Sequence, residues 1–381
     1  MSGFYKNTSN DGKVFRGLIF MDRIAHFFEC LLPISICNLE CEYCYLIQQN
    51  RRRMKNAKFD YSIEHMVKAL SKDRLGGACY FSLCGAGETC LQEGLIELVL
   101  GLLKEGHYIN ITTNGTISSA LHNFTLFDDK LRDKIQVAFS LHYLELKKRN
   151  MLDLFFENVN KVKNAGISIV VQMNLYDGYI EYLDEIKTIC LKEVGALPQI
   201  ALTRMEENHK FHIMSNMSEK EYYAVGKKFK SPLFDVTVKN FNVKRREFCY
   251  AGDWSATINL KNGIMDACYG AGYTQNIFEK IDNPIKFEAI GHGCPNKYCV
   301  NSSHFMSLGV IPRANIPSYV DLRDRKEAHW YNANMKEFLS QKFIDSKSEY
   351  GMVKKLQVDC KNRIRKINKI LEYIKNRLKR G

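Results

Sequence analysis

Six short β-type runs alternate with longer helical patterns between Leu31 and Arg204, and that alternation leaves few folds open. The runs predicted as strands are Leu31–Ile36, Ala78–Cys84, Tyr108–Thr113, Ile135–Leu141, Ile167–Asn174 and Gln199–Thr203. Helical patterns are predicted at Ser62–Lys72, Cys90–Lys104, Ser118–Arg132, Lys147–Asn164 and Tyr179–Glu193. Residues Ile167 to Val171 are apolar apart from Ser168, which suits a strand covered on both faces. The repetition predicts an α/β fold, a parallel sheet with right-handed crossovers, either open and doubly wound or closed into a full or partial barrel. In each arrangement ligands gather at the C-terminal ends of the strands, so the residues just after each run are where chemistry is sought.

Composition narrows the setting. At 381 residues, 45% apolar and 25% charged, the chain is neither disordered nor low-complexity. It is long enough for one large domain with a smaller companion. No run of 18 apolar residues is present to span a membrane, and Met1–Lys13 is polar without a secretory pattern. Thirteen cysteines in such a chain read as metal ligands in a reducing cytoplasm before they read as disulfides.

The cysteines cluster. Directly after the first run stands Cys37-Asn-Leu-Glu-Cys41-Glu-Tyr-Cys44-Tyr45. Spacings of four and three let three thiolates converge from one loop and leave one iron of a four-iron cluster without a protein ligand. A structural zinc site would need a fourth ligand from elsewhere, since no His lies in the loop. The CxxxCxxC spacing, with an aromatic residue before its last cysteine, resembles the signature of the radical S-adenosylmethionine (SAM) enzymes. The resemblance implies a partial (β/α)6 TIM-like barrel, a catalytic [4Fe–4S] cluster on Cys37, Cys41 and Cys44, and SAM chelated at the open iron. It further implies a flavodoxin- or ferredoxin-type electron donor, whose electron splits the sulfonium into methionine and a 5′-deoxyadenosyl radical. That radical abstracts a hydrogen atom from the substrate, while the protein orients the reactants and excludes water.

Other strand ends extend the resemblance. Gly85-Ala86-Gly87-Glu88 is similar to the family's Gly-Gly-Glu stretch, whose backbone meets the methionyl amino group. Glycines there permit close backbone approach, and Glu88 adds an acceptor for an ammonium. Ala86 and Thr89 depart from the family's usual glycine and proline, and an ordinary strand-to-helix turn could carry the same residues. Thr112-Thr113-Asn114-Gly115 resembles the family's TNG segment, and Ser140, Gln172 and Asn174 fall where ribose or carboxylate contacts are frequent. The cofactor-binding set implied is Gly85, Ala86, Gly87, Glu88, Asn114, Ser140 and Asn174, with Gln172 and His142 behind them. Each polar residue among them could instead satisfy backbone groups in a turn.

A second set follows. Cys249, Gly263 and Cys268 fit the Cx9–15Gx4C element that opens the family's SPASM and twitch extensions, a hairpin turning at Asn262-Gly263. Cys294 and Cys299 complete four thiolates, enough for one auxiliary [4Fe–4S] cluster or, equally by count, a structural zinc. The full SPASM pattern needs more cysteines, so the resemblance is to a twitch-like domain. Cys30, Cys79 and Cys190 read as packing residues, and Cys84 and Cys90 flank the cofactor loop.

The net charge of +13 is concentrated at the end of the sequence, where Met352–Gly381 carries eleven Lys or Arg against Asp359 and Glu372. Leu356, Cys360, Ile364, Ile367, Leu371, Ile374 and Leu378 recur at steps of three and four, an amphipathic helix. Its stripe is expected to dock on the body, its charges to be solvated or to meet an anionic partner. The expected organisation is an extension at 1–30, a barrel at 31–204, a connecting segment at 205–248, a cysteine-bearing auxiliary domain at 249–300, irregular chain at 301–350 and the basic amphipathic helix at 351–381. Three functions stay open on the sequence: a radical SAM enzyme on a small, carbohydrate-type substrate, a peptide or protein maturase of the SPASM type, and a non-catalytic iron–sulfur or zinc module.

Overall fold

The structure, a computed structural model, describes residues 6–8, 14–16, 22–48, 57–207, 210–269, 271–296, 298–299 and 303–378. Six parallel strands form its centre: β1 (Phe27–Leu32), β2 (Tyr80–Gly85), β3 (Tyr108–Thr113), β4 (Ile135–Ser140), β5 (Ser168–Leu175) and β6 (Gln199–Leu202). They lie side by side in sequence order. This is the parallel α/β architecture of a partial (β/α)6 barrel. Five strands stand where the sequence put them, within two residues at either end. The first is displaced: Phe27–Leu32 pairs, whereas Leu31–Ile36 was expected. Pro33 is the reason, since it lacks the N–H that a ladder needs and its ring ends the run.

Each strand alternates. Outward residues such as Leu83, Ile109, Ile111, Val137, Val171 and Met173 are fully covered, and each contributes about 1.5–3 kcal/mol of burial. Helix α1 (Leu95–Lys104) supplies part of that cover, because Leu95, Leu98, Val99, Leu102 and Leu103 share one buried face. Inward residues at mid-height are polar instead, and that difference positions the site.

The segment expected only to connect, 205–248, contains two helices. Glu219–Lys227 starts from a reciprocal capping box of Ser218 and Glu221. Pro232–Asn240 starts from Ser231, whose hydroxyl also accepts from Ile200 N and donates to Gln199 Oε1. It therefore belongs to the sixth β/α unit.

Beyond it, β7 (Ser255–Asn259), β8 (Ile264–Cys268) and β9 (Ala271–Asn276) add to the same sheet, β7 pairing parallel to β1. The cysteine-bearing region thus shares the barrel's sheet. Gly263 turns the β7–β8 hairpin at φ +75°, where a Cβ would strike the Phe278 ring.

Of the stretch read as irregular, 301–350, the described part from 303 on closes the N-terminal ends of the strands. Trp330 O accepts from Ile169 N at 2.8 Å, and Arg323 O from Gln199 Nε2 at 3.1 Å. Buried Arg325 donates to the carbonyls of Leu197, Pro198, Phe229 and Lys230. This plug is not irregular throughout: Ala333–Ser340 is a helix capped by Asn332 that buries Met335, Phe338 and Leu339. The final helix α2 (Met352–Leu378) forms as expected, but its apolar stripe does not dock: Leu356, Ile364, Ile367 and Leu371 are each more than half exposed.

Candidate active site

The cysteine loop leaves β1 and crosses the C-terminal ends of the neighbouring strands. Asn114 Nδ2, just after β3, donates to Asn38 Oδ1 at 2.8 Å and approaches Cys37 Sγ at 3.8 Å. Leu39 N donates to Cys37 Sγ at 3.4 Å. Asn38 Nδ2 reaches Thr116 Oγ1 at 2.7 Å, and Glu40 N reaches Glu145 Oε1 at 3.1 Å. The tyrosine between the last two cysteines is anchored too, its hydroxyl 2.6 Å from His142 Nδ1 and 2.9 Å from the Tyr179 hydroxyl. Segments after β3, β4 and β5 thus hold one loop in place.

Burial pushes the Cys41 thiol up to about 12, with Cys37 and Cys44 adding to the rise. Three thiols so close cannot all ionise without a cation among them, and N–H groups aimed at Cys37 are the contacts that a bound sulfur receives. The donor set fits an iron–sulfur cluster with one site left open. Among the described residues, no group of three or more His, Cys, Asp or Glu is set to hold a single metal ion.

The Gly85–Glu88 stretch has a different local task from the one expected. Gly87 N donates to Ile34 O at 3.1 Å, and Glu88 N to Ile36 O at 2.8 Å. A Cβ on Gly87 would overlap the Ile36 carbonyl, so the close approach that glycine permits is to the start of the cysteine loop itself. The Glu88 carboxylate is buried and accepts from Cys90 N at 2.9 Å, Thr113 Oγ1 at 2.5 Å and Asn114 N at 2.7 Å. It locks β2 to β3 rather than waiting as a spare acceptor, and what the turn offers outward is the half-buried backbone of Gly85, Ala86 and Gly87. Asn114 is likewise committed, its Oδ1 accepting from Thr116 N and Oγ1.

Ser140 and Asn174 are half-buried at the ends of β4 and β5. Ser140 stands in register with Gln172, which shares a face with Asn174. Cys84 is on the inner face, and Cys90 is buried beside Glu88.

Below that rim the inner face carries a polar layer which sequence reasoning missed. Glu29, Ser82, Asn110, Gln136 and Ser168 are in register across five strands. Asn110 Nδ2 donates to Ser82 Oγ at 3.0 Å, Gln136 Nε2 to Asn110 Oδ1 at 2.8 Å, and Tyr331 of the plug to Gln136 Oε1 at 2.6 Å. Glu29 accepts from the Tyr269 hydroxyl and lies 3.9 Å from His304 Nδ1. Burial holds His304 down at about 3, so it is neutral, and holds Tyr269 protonated. One signal was visible: a carboxylate inside Phe27-Phe28-Glu29-Cys30-Leu31-Leu32 needs a reason to be there.

The second cysteine set gathers at the hairpin. Cys249 exchanges both backbone hydrogen bonds with Gly291, at 3.1 and 3.0 Å. Burial raises its thiol well above the ordinary range, and Cys268, Cys299 and Cys294 raise it further. The four thiols therefore share one electrostatic neighbourhood. Tyr269, the residue after Cys268, carries the contact to Glu29.

The parallel β/α barrel thus carries Cys37, Cys41 and Cys44 in the loop after its first strand, where the thiols influence one another's ionisation. Residues 31–190 match the Radical SAM superfamily. That part of the chain is a radical SAM domain. Solved structures with a similar fold include Streptococcus suis SuiB bound to S-adenosylmethionine, at 16% identity and TM-score 0.48 over 68% of this chain and 65% of that one. A tagged form of anSMEcpe with bound AdoMet matches at 16% identity and TM-score 0.46, over 84% and 94%. BtrN in complex with AdoMet and 2-DOIA matches at 14% identity and TM-score 0.34, over 86% and 92%. The chain spans less than two thirds of the SuiB structure, and none of these scores bears on substrate. No curated protein matches the chain.

Proposed function

We propose that this chain cleaves SAM reductively and uses the radical to take a hydrogen atom from a small, polyhydroxylated substrate held inside the barrel. The observation that carries the reading is the layering of the inner face. A polar floor runs from Glu29 to Ser168, and a polar rim holds Ser140, Gln172 and Asn174. Between them stand the shorter side chains of Cys84, Thr112, Ala138 and Val170. Hydroxyl-rich ligands match such walls, because the half-buried polar side chains of Ser140, Gln172 and Asn174 at the rim can pair with hydroxyls.

Cys37, Cys41 and Cys44 would hold the catalytic [4Fe–4S] cluster; when bound, it supplies the single electron that SAM cleavage requires, drawn from a flavodoxin- or ferredoxin-type donor. The backbone of Gly85–Gly87 with Ser140 and Asn174 would orient SAM. Cys249, Cys268, Cys294 and Cys299 would hold an auxiliary cluster, and Tyr269 links that region to Glu29 at the floor.

The test is anaerobic reconstitution with iron and sulfide, reduction, and assay for 5′-deoxyadenosine with SAM. About eight irons per chain and 5′-deoxyadenosine release are expected for two cubane sites. Absence of 5′-deoxyadenosine from fully loaded, reduced protein overturns the enzymatic reading. Zinc at the second cysteine set overturns the auxiliary cluster. Turnover of a peptide but of no sugar or polyol overturns the substrate class.

A further inference from the structure

Helix α2 turns its polar side to the body. Asp359 Oδ1 accepts from His292 N at 2.9 Å, and Oδ2 faces the imidazole Nδ1 at 2.8 Å. Asn362 Nδ2 donates to the carbonyls of Ala289 and Ile290, each at 3.1 Å. Lys361 and Arg365 meet Glu288, and Lys355 meets Glu349 at 2.7 Å. Gly291 lets the helix this close, since a Cβ there would overlap Asp359 Oδ1. Lys355, Val358, Asp359, Asn362 and Arg365 fall on one face at 3.6 residues per turn. The opposite face is the apolar stripe, and Val353, Leu356, Ile364, Ile367, Leu371 and Ile374 are 46% to 70% exposed. A stripe of six aliphatic side chains in water is a surface that awaits cover.

We infer that this face rests on an anionic lipid surface, with α2 lying in the plane of the interface and the catalytic domain held beside it. Charge selects the occupant. The segment from Met352 onward carries eleven Lys or Arg against two acidic residues, one of which, Asp359, is already engaged by His292. Pairing with a second copy would set two such cationic helices side by side, and like charges along a shared seam oppose it. Nucleic acid would take the charge but leave the stripe in water. An anionic membrane takes both: the acyl boundary receives the aliphatic side chains, and the headgroups receive flanking cations such as Arg363. Each basic residue near such a surface contributes about 1 kcal/mol. Among the described residues no helix is long and apolar enough to cross a membrane, so the mode is interfacial.

The experiment is co-sedimentation of the full chain with phosphatidylcholine vesicles, with and without phosphatidylglycerol. Binding is expected only to the anionic vesicles and is expected to weaken as salt rises. Ile364→Glu with Ile367→Glu should lower the bound fraction at least about tenfold, two buried aliphatic side chains being lost. Arg363→Glu with Lys366→Glu should weaken the salt-sensitive part. All four positions are exposed, and an unchanged circular dichroism spectrum with unchanged 5′-deoxyadenosine release verifies folding. No binding to anionic vesicles overturns the inference. So does a concentration-dependent dimer that Ile364→Glu dissociates, or tight duplex DNA binding with none to vesicles.

Discussion

The two cysteine sets are built by opposite routes. Cys37, Cys41 and Cys44 lie within eight residues, and side chains from neighbouring strand ends position their loop: Asn114 after β3, His142 and Glu145 after β4, Tyr179 after β5. Cys249, Cys268, Cys294 and Cys299 are spread over 51 residues, and the β7–β8 hairpin and the Cys249–Gly291 bridge tie the first two to the sheet region. The first set supplies three ligands from one loop and so depends on outside support. The second would supply four, of which Cys249 and Cys268 stand on segments already fixed by backbone hydrogen bonds. An open site needs a loop; a closed one can be part of the scaffold.

The largest expected effect separates their tasks. Replacing Cys37, Cys41 and Cys44 together by alanine should abolish 5′-deoxyadenosine formation and leave about four irons per chain, as one remaining cubane requires. If SAM cleavage survives, the first set is not the catalytic one. Cys294→Ala with Cys299→Ala should likewise bring iron from about eight to about four, but with SAM cleavage retained when substrate is absent. Unchanged iron content would remove the auxiliary assignment. Gly87→Ala comes next: its methyl group meets the Ile36 backbone, which cannot retreat without moving the cysteine loop. A loss of about 1–3 kcal/mol in thermal unfolding is expected, with weaker iron retention at the first set only.

How far each set was legible follows from the same contrast. Three cysteines in one loop are a local pattern, and so are the Asn114 and Gly85–Glu88 segments that meet it. The hairpin at Asn262-Gly263 was local as well. What reading missed was long-range. Pro33 moved the first strand four residues back, which placed Glu29 inside the barrel instead of before it. The polar layer containing Glu29 exists only through register across five strands, which no single run displays. The plug at 303–345 has one local signal, the helix Ala333–Ser340 capped by Asn332, and is otherwise held by buried arginine and tryptophan contacts to distant carbonyls. Helix α2 was read correctly as amphipathic, yet which face docks was decided by Gly291 and Glu288, about seventy residues away.

The smallest effect probes the support of the first loop by acid. The Tyr43 hydroxyl shares a hydrogen bond with Nδ1 of neutral His142, whose pKa burial pushes down to about 4 although Glu145 pulls it up. In the unfolded chain that imidazole titrates near 6.5, so between the two values the unfolded state binds a proton that the folded one refuses. The stabilisation is full above about 6.5 and is lost as pH falls through about 4. His142 is half-buried, so the effect is about 1–2 kcal/mol at most. In metal-free protein, amide exchange at Leu39 and Cys44, corrected for intrinsic rates, should accelerate over that interval. In His142→Gln it should not respond. The Cys249 amide, whose partner is the Gly291 carbonyl, is the internal reference. If it responds to acid as strongly as Leu39 does, both sets share one mode of support, and the distinction between loop and scaffold fails.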